Sequence, residues 1–270
     1  MKMQTKFTVV MAVYKKDKTS LFKAALNSIF SNSILPTSTI LVVDGPVTYE
    51  LNAVIEFYEH NKSITVIRLP INKGLAFALN VGLSLVETDW IIRADSDDIN
   101  HSNRFETLLN YMNAGYDLIG SAIREVDSYG KILGIRNPPL DATSIKKFIR
   151  IRNPFNHMTV AYRTSLARLC GGYPNIYLRE DYGLWALMIK NGAKVINISD
   201  VLVDASAGKE MYARRGGLRY VLGEIALQKH LVKCRIKDPP LALLHGIARS
   251  LVFLAPSILR GFIYEKLLRN

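Results

Sequence analysis

The chain has 270 residues, 49% of them hydrophobic, and a formal charge of +12 at neutral pH. That length and apolar content suffice for one large α/β domain or two small ones, which excludes a disulfide-stapled miniature. Its two cysteines, Cys170 and Cys234, lack metal-ligand spacing and read as buried thiols in a reducing compartment.

The opening "MKMQTKFTVVMAVYKKDK" meets Lys15, Lys16 and Lys18 too early for a secretory signal, so it is expected to be a buried first strand. The β-branched runs "FTVVMAVY", "TILVVDG", "ITVIRLP" and "DWIIRAD" are separated by the helical patterns "SLFKAALNSIF", "YELNAVIEFYEH" and "GLAFALNVGLSLV". This alternation predicts a parallel sheet with right-handed crossovers, and in such sheets ligands bind beyond the carboxyl ends of the strands. The residues at those ends are Tyr14, then Asp44, then Lys73 and Gly74, then the cluster that begins at Asp95.

Beyond residue 100, "SNRFETLLNYMNAG" reads as a helix closed by Gly115, and "DLIGSAIREVD" and "KILGIRN" as strands around the turn "SYG". The pattern predicts a basic helix in "SIKKFIRIRN" ending before Pro154, and a strand, short helix and glycine turn in "NHMTVAYRTSLARLCGGY". A compact helix comes next in "EDYGLWALMIKNG", with two further strands in "KVINIS" and "VLVDAS".

Residues 209–270 hold twelve basic and four acidic side chains, so +8 of the net charge lies there. Leu, Ile and Phe are interspersed with Arg249, Arg260, Lys266 and Arg269, which favours a membrane surface over nucleic acid as partner. The apolar run is broken by His245, Arg249, Pro256 and Arg260, short of the ~20 residues of a spanning helix. An amphipathic helix packed on its own domain is the alternative.

The stretch "DWIIRADSDD" places Asp95, Asp97 and Asp98 within four positions, and such a cluster needs a compensating positive charge where water is partly excluded. A turn or helix cap would use the same residues. A calcium-binding EF loop is excluded, because its fifth and sixth positions would be Ile99 and Asn100. The third reading is a divalent-metal site for a phosphorylated ligand. Neither GxGxxG after the first strand nor GxxxxGK[ST] is present, so a metal would have to support the phosphates.

The ordered motifs "VVMAVYKKD", "LVVDGP", "NKGLAFALNVGL", "WIIRADSDD", "NRF", "GGY" and "REDYGLWALMIKNG" resemble the family 2 glycosyltransferases of the GT-A fold. The likeness is especially to bacterial enzymes that build O-antigen and exopolysaccharide repeats, and it covers about residues 5 to 195. It implies a Rossmann-like, mostly parallel α/β sheet flanked by helices. In that reading residues 1–100 bind the nucleotide sugar, 101–205 the acceptor, and 206–270 form a basic amphipathic helical tail.

The resemblance puts Tyr14 and Asp44 at the uracil and ribose, Lys73 and Gly74 near the nucleotide, and Asp95 at the ribose or the metal. Asp97 matches the last acid of the family's DxD metal motif, Asp181 its general base, and Glu180 an assisting carboxylate. His157 resembles a histidine often found there, and Arg214 and Arg215 have the forked geometry for a diphosphate. On the residues alone, each has an ordinary reading as well: a core aromatic, a turn, a helix cap, a structural histidine, a surface basic loop.

The implied activity is inverting transfer of a hexosyl or N-acetylhexosaminyl group from a UDP-sugar, with Mn²⁺ or Mg²⁺. The acceptor would be a lipid-linked saccharide at the cytoplasmic face of the membrane, in surface-polysaccharide synthesis. A nucleotidyltransferase would use the same metal but leaves Glu180 and Asp181 unexplained. A non-catalytic basic binding protein explains the charge and leaves both acidic groups idle.

Overall fold

Every residue of the first strand, β1 (Phe7–Val13), is buried. Phe7, Val9, Met11 and Val13 enter one core, and Val10 and Ala12 the other. Side chains alternate across a strand, so a continuous apolar run means that both faces of the sheet are covered. In the computed structural model, which describes residues 5–127, 129–207 and 216–255, β1 lies between β2 (Ser38–Val43) and β4 (Trp90–Arg93). Beyond β2 lies β3 (Ile64–Arg68), and all three pairings are parallel.

The crossovers are α1 (Thr19–Phe30), α2 (Tyr49–Asn61) and α3 (Leu75–Leu85). Phe22 and Leu26 of α1 pack with Leu51 and Ile55 of α2 on one face, while Ala78, Leu79 and Leu83 of α3 cover the other. Thr48 caps α2 by accepting from the Leu51 amide.

The chain continues through β5 (Ile99–Asn100), α4 (Arg104–Asn113), β6 (Leu118–Val126), β7 (Ile132–Arg136) and α5 (Ala142–Phe148). A 3-10 turn at His157–Thr159 leads to β8 (Ala161–Arg163), α6 (Thr164–Leu169), α7 (Glu180–Lys190) and β9 (Val195–Ser206). The sheet order is β3-β2-β1-β4-β8-β6-β9-β5, with β7 paired to β6. β8 runs antiparallel to β4 and β6, and β9 parallel to β6, so helices flank a mixed sheet whose first four strands are parallel.

Three local expectations are corrected. "KVINIS" and "VLVDAS" form one strand, β9, because its pairing with β6 absorbs irregularities around Ala122 without breaking the ladder. Helix α5 stops at Phe148 rather than near Pro154: the carbonyl of Ile149 accepts from the Tyr182 hydroxyl and that of Ile151 from Arg249. Cys234 is buried, but Cys170 is only half-buried.

The last described elements are α8 (Leu218–Lys233) and α9 (Pro239–Leu254). They pair antiparallel: the Gly217 amide donates to the Phe253 carbonyl at 3.0 Å, and Gly246 faces Gln228. Leu227 and Leu231 enter the core, while Leu218, Leu222, Leu243, Leu244, Ile247 and Leu251 are exposed. The hairpin therefore packs on the domain by one face and leaves an apolar face in solvent. Among the described residues no helix is long and apolar enough to cross a membrane.

One polar contact locks α3 to the glycine turn. Asn80 donates from Nδ2 to the Tyr173 carbonyl and accepts the Tyr173 amide at Oδ1, both at 2.8 Å. Gly172 makes this possible: its φ is +75°, and a Cβ there would lie 2.3 Å from Asn80 Oδ1. Asn80→Ala removes both partners, and a loss of about 1–3 kcal/mol is expected as a shift in urea midpoint. An unchanged midpoint would show that the contact contributes nothing.

Candidate active site

At the carboxyl ends of the parallel strands the loops are tied in pairs. Asp17 Oδ2 accepts from the Tyr14 amide at 3.0 Å and from Ser96 Oγ at 2.9 Å, joining the loops after β1 and β4. Tyr14 itself is half-buried at the end of β1. Asp44 accepts the Lys73 amide at 2.7 Å and the Gly74 amide at 2.9 Å, joining the loop after β2 to the start of α3. Gly45, at φ +85°, allows the approach, because a Cβ there would sit 2.5 Å from the Asn72 amide nitrogen. The Lys73 ammonium lies 4.4 Å from the centre of the Phe77 ring. A cavity of about 260 Å³ opens nearby, lined by Val43, Gly45, Pro46, Asn52 and Arg68 among others.

The Asp95 cluster meets its positive charge inside the protein. Arg93, 1% exposed, pairs with Asp95 and donates to the Val10 carbonyl at 3.3 Å. Arg104, fully buried, bonds the Asn100 side chain, the Arg93 carbonyl at 2.8 Å and the Met158 carbonyl at 2.9 Å. Burial pushes Arg104 down to about 9 against the opposing pull of Asp98 and Asp95.

Four carboxylates face these two guanidinium groups. Asp98 is buried, accepts the Ser206 amide at 2.8 Å, and is held well above the usual carboxylate range by burial and then by Asp95 and Asp97. Burial likewise raises Asp17. Asp97 reaches the surface, yet the surrounding protein, then Asp95 and Asp17, push it up to about 6. The accessible edge of the cluster is thus formed by Asp97, with half-buried Asp95 beside it. Among the described residues no three His, Cys, Asp or Glu side chains converge as a complete metal cage. Asp97 and Asp95 fit instead a divalent ion that takes one or two carboxylates and completes its shell with phosphate oxygens.

Helix α7 brings Glu180 and Asp181 to the same region. Glu180 is 5% exposed, and burial, then Asp181, push its carboxyl up to about 7. Asp181 is half-buried and its Oδ2 accepts from Asn153 Nδ2 at 2.6 Å. Half-buried His157 packs against Tyr173 and Trp185, and its inaccessible Nε2 has no partner among the described residues. Burial and then Arg93 lower its pKa, while Asp181 and Asp95 act in the other direction. Both acidic groups therefore act in one electrostatic neighbourhood. Arg214 and Arg215 lie outside the described residues.

Four polar residues here have no role assigned from the sequence, although Asp17, Arg93 and Arg104 stand inside the quoted motifs "VVMAVYKKD", "WIIRADSDD" and "NRF". Arg93 stands within "WIIRAD", where a charged residue in a buried apolar run was the available signal. Asp17 follows two lysines and looks like a surface turn, whereas Arg104 and Asn153 gain meaning only from contacts distant in sequence.

A parallel sheet with acidic side chains at its strand ends and a second acidic pair on a facing helix is the layout of a GT-A transferase. The chain belongs to glycosyl transferase family 2, whose model matches residues 8–172, and it is a glycosyltransferase. It is 40% identical to the Escherichia coli UDP-Gal:alpha-D-GlcNAc-diphosphoundecaprenol beta-1,3-galactosyltransferase, over 98% of this chain and 97% of that one. The amylovoran biosynthesis glycosyltransferase AmsE of Erwinia amylovora is 32% identical over 96% of this chain and 98% of its own. Among solved structures, S. aureus TarS 1-349 in complex with UDP-GlcNAc superposes with a TM-score of 0.67 at 18% identity, covering 97% of this chain and 76% of that one.

Glu180 makes stability depend on pH. Its carboxyl titrates near 7 in the folded chain against an ordinary 4.5, so the folded state holds the proton more tightly. The stability this confers is full below pH 4.5 and is lost as pH rises through 7. Glu180→Gln removes the dependence, so the variant should gain about 1–3 kcal/mol on wild type between pH 5 and pH 8 in urea unfolding. A difference that does not change with pH would contradict this.

Proposed function

We propose that this glycosyltransferase moves a sugar, with inversion, from a UDP-sugar to a saccharide carried on a lipid diphosphate. The observation that supports it most is the placement of Asp95 and Asp97 at the strand ends, with a second carboxylate pair, Glu180 and Asp181, in the first turn of α7. The donor and acceptor classes are those in the name of the 40% identical relative, and UDP-galactose with GlcNAc-diphosphoundecaprenol is the pair to test first.

In this reading residues 1–100 form the donor side, 101–205 the acceptor side, and 206–270 the tail. Tyr14, Lys73, Gly74 and Asp95 surround the nucleotide, while Asp44, which already holds the loop before α3, reaches it with its remaining lone pairs. Asp97 and Asp95 hold Mn²⁺ or Mg²⁺, with Arg214 and Arg215 assisting at the diphosphate. The ion, when bound, supplies positive charge for the departing diphosphate. Asn153 orients Asp181, which takes the proton of the acceptor hydroxyl as its oxygen attacks the anomeric carbon from the face opposite UDP. The glycosidic bond forms as the sugar–phosphate bond breaks and UDP leaves. Glu180, the buried neighbour of Asp181, is the assisting carboxylate.

Calorimetry and turnover separate these roles. Asp97→Ala should lose Mn²⁺-dependent UDP binding. Asp181→Asn should keep that binding and lose about 10²–10⁴-fold in turnover, the range for general-base catalysis. Wild-type UDP affinity in the first variant would remove the metal assignment. Turnover within a few-fold of wild type in the second would move the base, with Glu180 next.

The tail is proposed to rest on the cytoplasmic leaflet, where such an acceptor is presented, and not on nucleic acid. The apolar outer face of α8 and α9, with Arg219 and Lys229 on the same hairpin, supports this. Because α9 also buries Ala242 and Phe253, removing it would strip core contacts. The cleaner variant changes Leu243, Leu244, Ile247 and Leu251 to Ser in the full chain. It should float poorly with anionic liposomes, since burying each such side chain is worth up to about 1.5–3 kcal/mol. Equal flotation would place the anchor elsewhere.

A further inference from the structure

Two arginines, one just before α7 and one on α9, meet at a single buried carboxylate on α8. Glu224 is 0% exposed. Its Oε2 lies 3.2 Å from Arg179 Nη2, an ion pair without an aligned hydrogen bond, and its Oε1 lies 3.6 Å from Arg249 Nη1. Gln228 Nε2 donates to the same Oε1 at 2.6 Å.

Each arginine leads to Asp181 by a different route. Arg179 immediately precedes Glu180 and follows Leu178, whose φ of +52° turns the chain sharply before the helix begins. The Arg179 guanidinium also lies 5.5 Å from the centre of the Phe253 ring on α9. Arg249 donates from Nη2 to the Ile151 carbonyl, and two residues on, Asn153 holds Asp181 Oδ2 at 2.6 Å. The segment before α7 is gripped further upstream. Tyr177 packs edge-on to Tyr220 at 5.7 Å between ring centres, Arg219 lies 4.1 Å from the Tyr177 ring, and Gly223 passes so close that a Cβ would meet the Tyr177 carbonyl at 2.9 Å.

A buried ion pair is a weak source of net stability, since desolvation opposes the attraction and apolar residues fill the same space as well. What it supplies is fixed direction, and small misplacements of a reacting group reduce rate strongly. We propose that Glu224 is a positioning residue for the transfer step: through Arg179 and Arg249 it fixes the two segments that aim the Asp181 carboxylate. This rests on the reading of Asp181 as the base.

Glu224→Gln retains size and the contact with Gln228 and removes the charge. With UDP-galactose and GlcNAc-diphosphoundecaprenol, kcat should fall by about 10- to 100-fold while UDP affinity and donor KM stay unchanged. In the Asp181→Asn background the same change should cause no further loss, because two residues that act through one step are not additive. Wild-type kcat in folded Glu224→Gln, or a full additional loss in the double variant, overturns the proposal while leaving Asp181 as the base. Wild-type turnover by Asp181→Asn overturns the base reading and the proposal with it. If Glu224→Gln does not fold, Arg249→Gln, at a partly exposed position, takes its place: the same fall in kcat is expected, and wild-type kcat overturns the proposal.

Discussion

The guanidinium of Arg93 is the fixed charge around which both acidic groups are arranged. It sits in β4 with 1% exposure, pairs directly with Asp95, and its field opposes the protonation of Asp17, Asp97, Asp98 and Glu180. Arg93 is part of the strand itself, so this compensation is in place without a bound ligand. Arg104 adds a second guanidinium that acts on Asp98 and Asp95, with burial pushing it down to about 9. With these two in place the cluster meets its opposing charge inside the protein, and its exposed edge lies at Asp97. A site built this way can keep its shape whether or not a ligand is bound.

The parallel half of the fold was legible because three of its four strands, β1, β2 and β4, are buried on both faces and its helices are long enough to show their own period. The alternation from β1 to β4 gave element order and, through the rule on strand ends, the place where Tyr14, Asp44, Lys73 and Asp95 gather. Legibility fell where structure depends on distant partners. β5 is two residues long and exists as a ladder only with β9, while the irregular pairing of β9 with β6 hides one strand behind what looks like two. The acidic residues could be given roles from their motifs, but Arg93 and Arg104, inside two of those motifs, could not, because Arg104 reaches the cluster through carbonyls contributed by β4 and by the turn before β8.

The tail shows a similar limit from the other side. Its composition announced an amphipathic element, and composition alone left open whether the apolar face meets lipid or protein. The hairpin has two such faces: Leu227, Leu231 and Phe253 turn inward, and Leu243, Leu244, Ile247 and Leu251 turn outward. A helical wheel drawn for either helix alone could not separate them, since what divides them is the antiparallel partner.

Buried polar links also stitch the first hundred residues to the later part of the chain. Asn80 holds Tyr173, Asp98 holds the amide of Ser206, Arg104 reaches the Arg93 carbonyl, and Arg168 donates to the Leu83 carbonyl at 3.0 Å and to that of Val86. Recombination with a relative at a junction near residue 100, a natural route to new sugar or linkage specificity, would import one partner of every such link without the other. Viable chimeras should therefore inherit these pairs as sets, and the exchangeable units in this protein are patches of contact that cross the sheet and not consecutive lengths of chain.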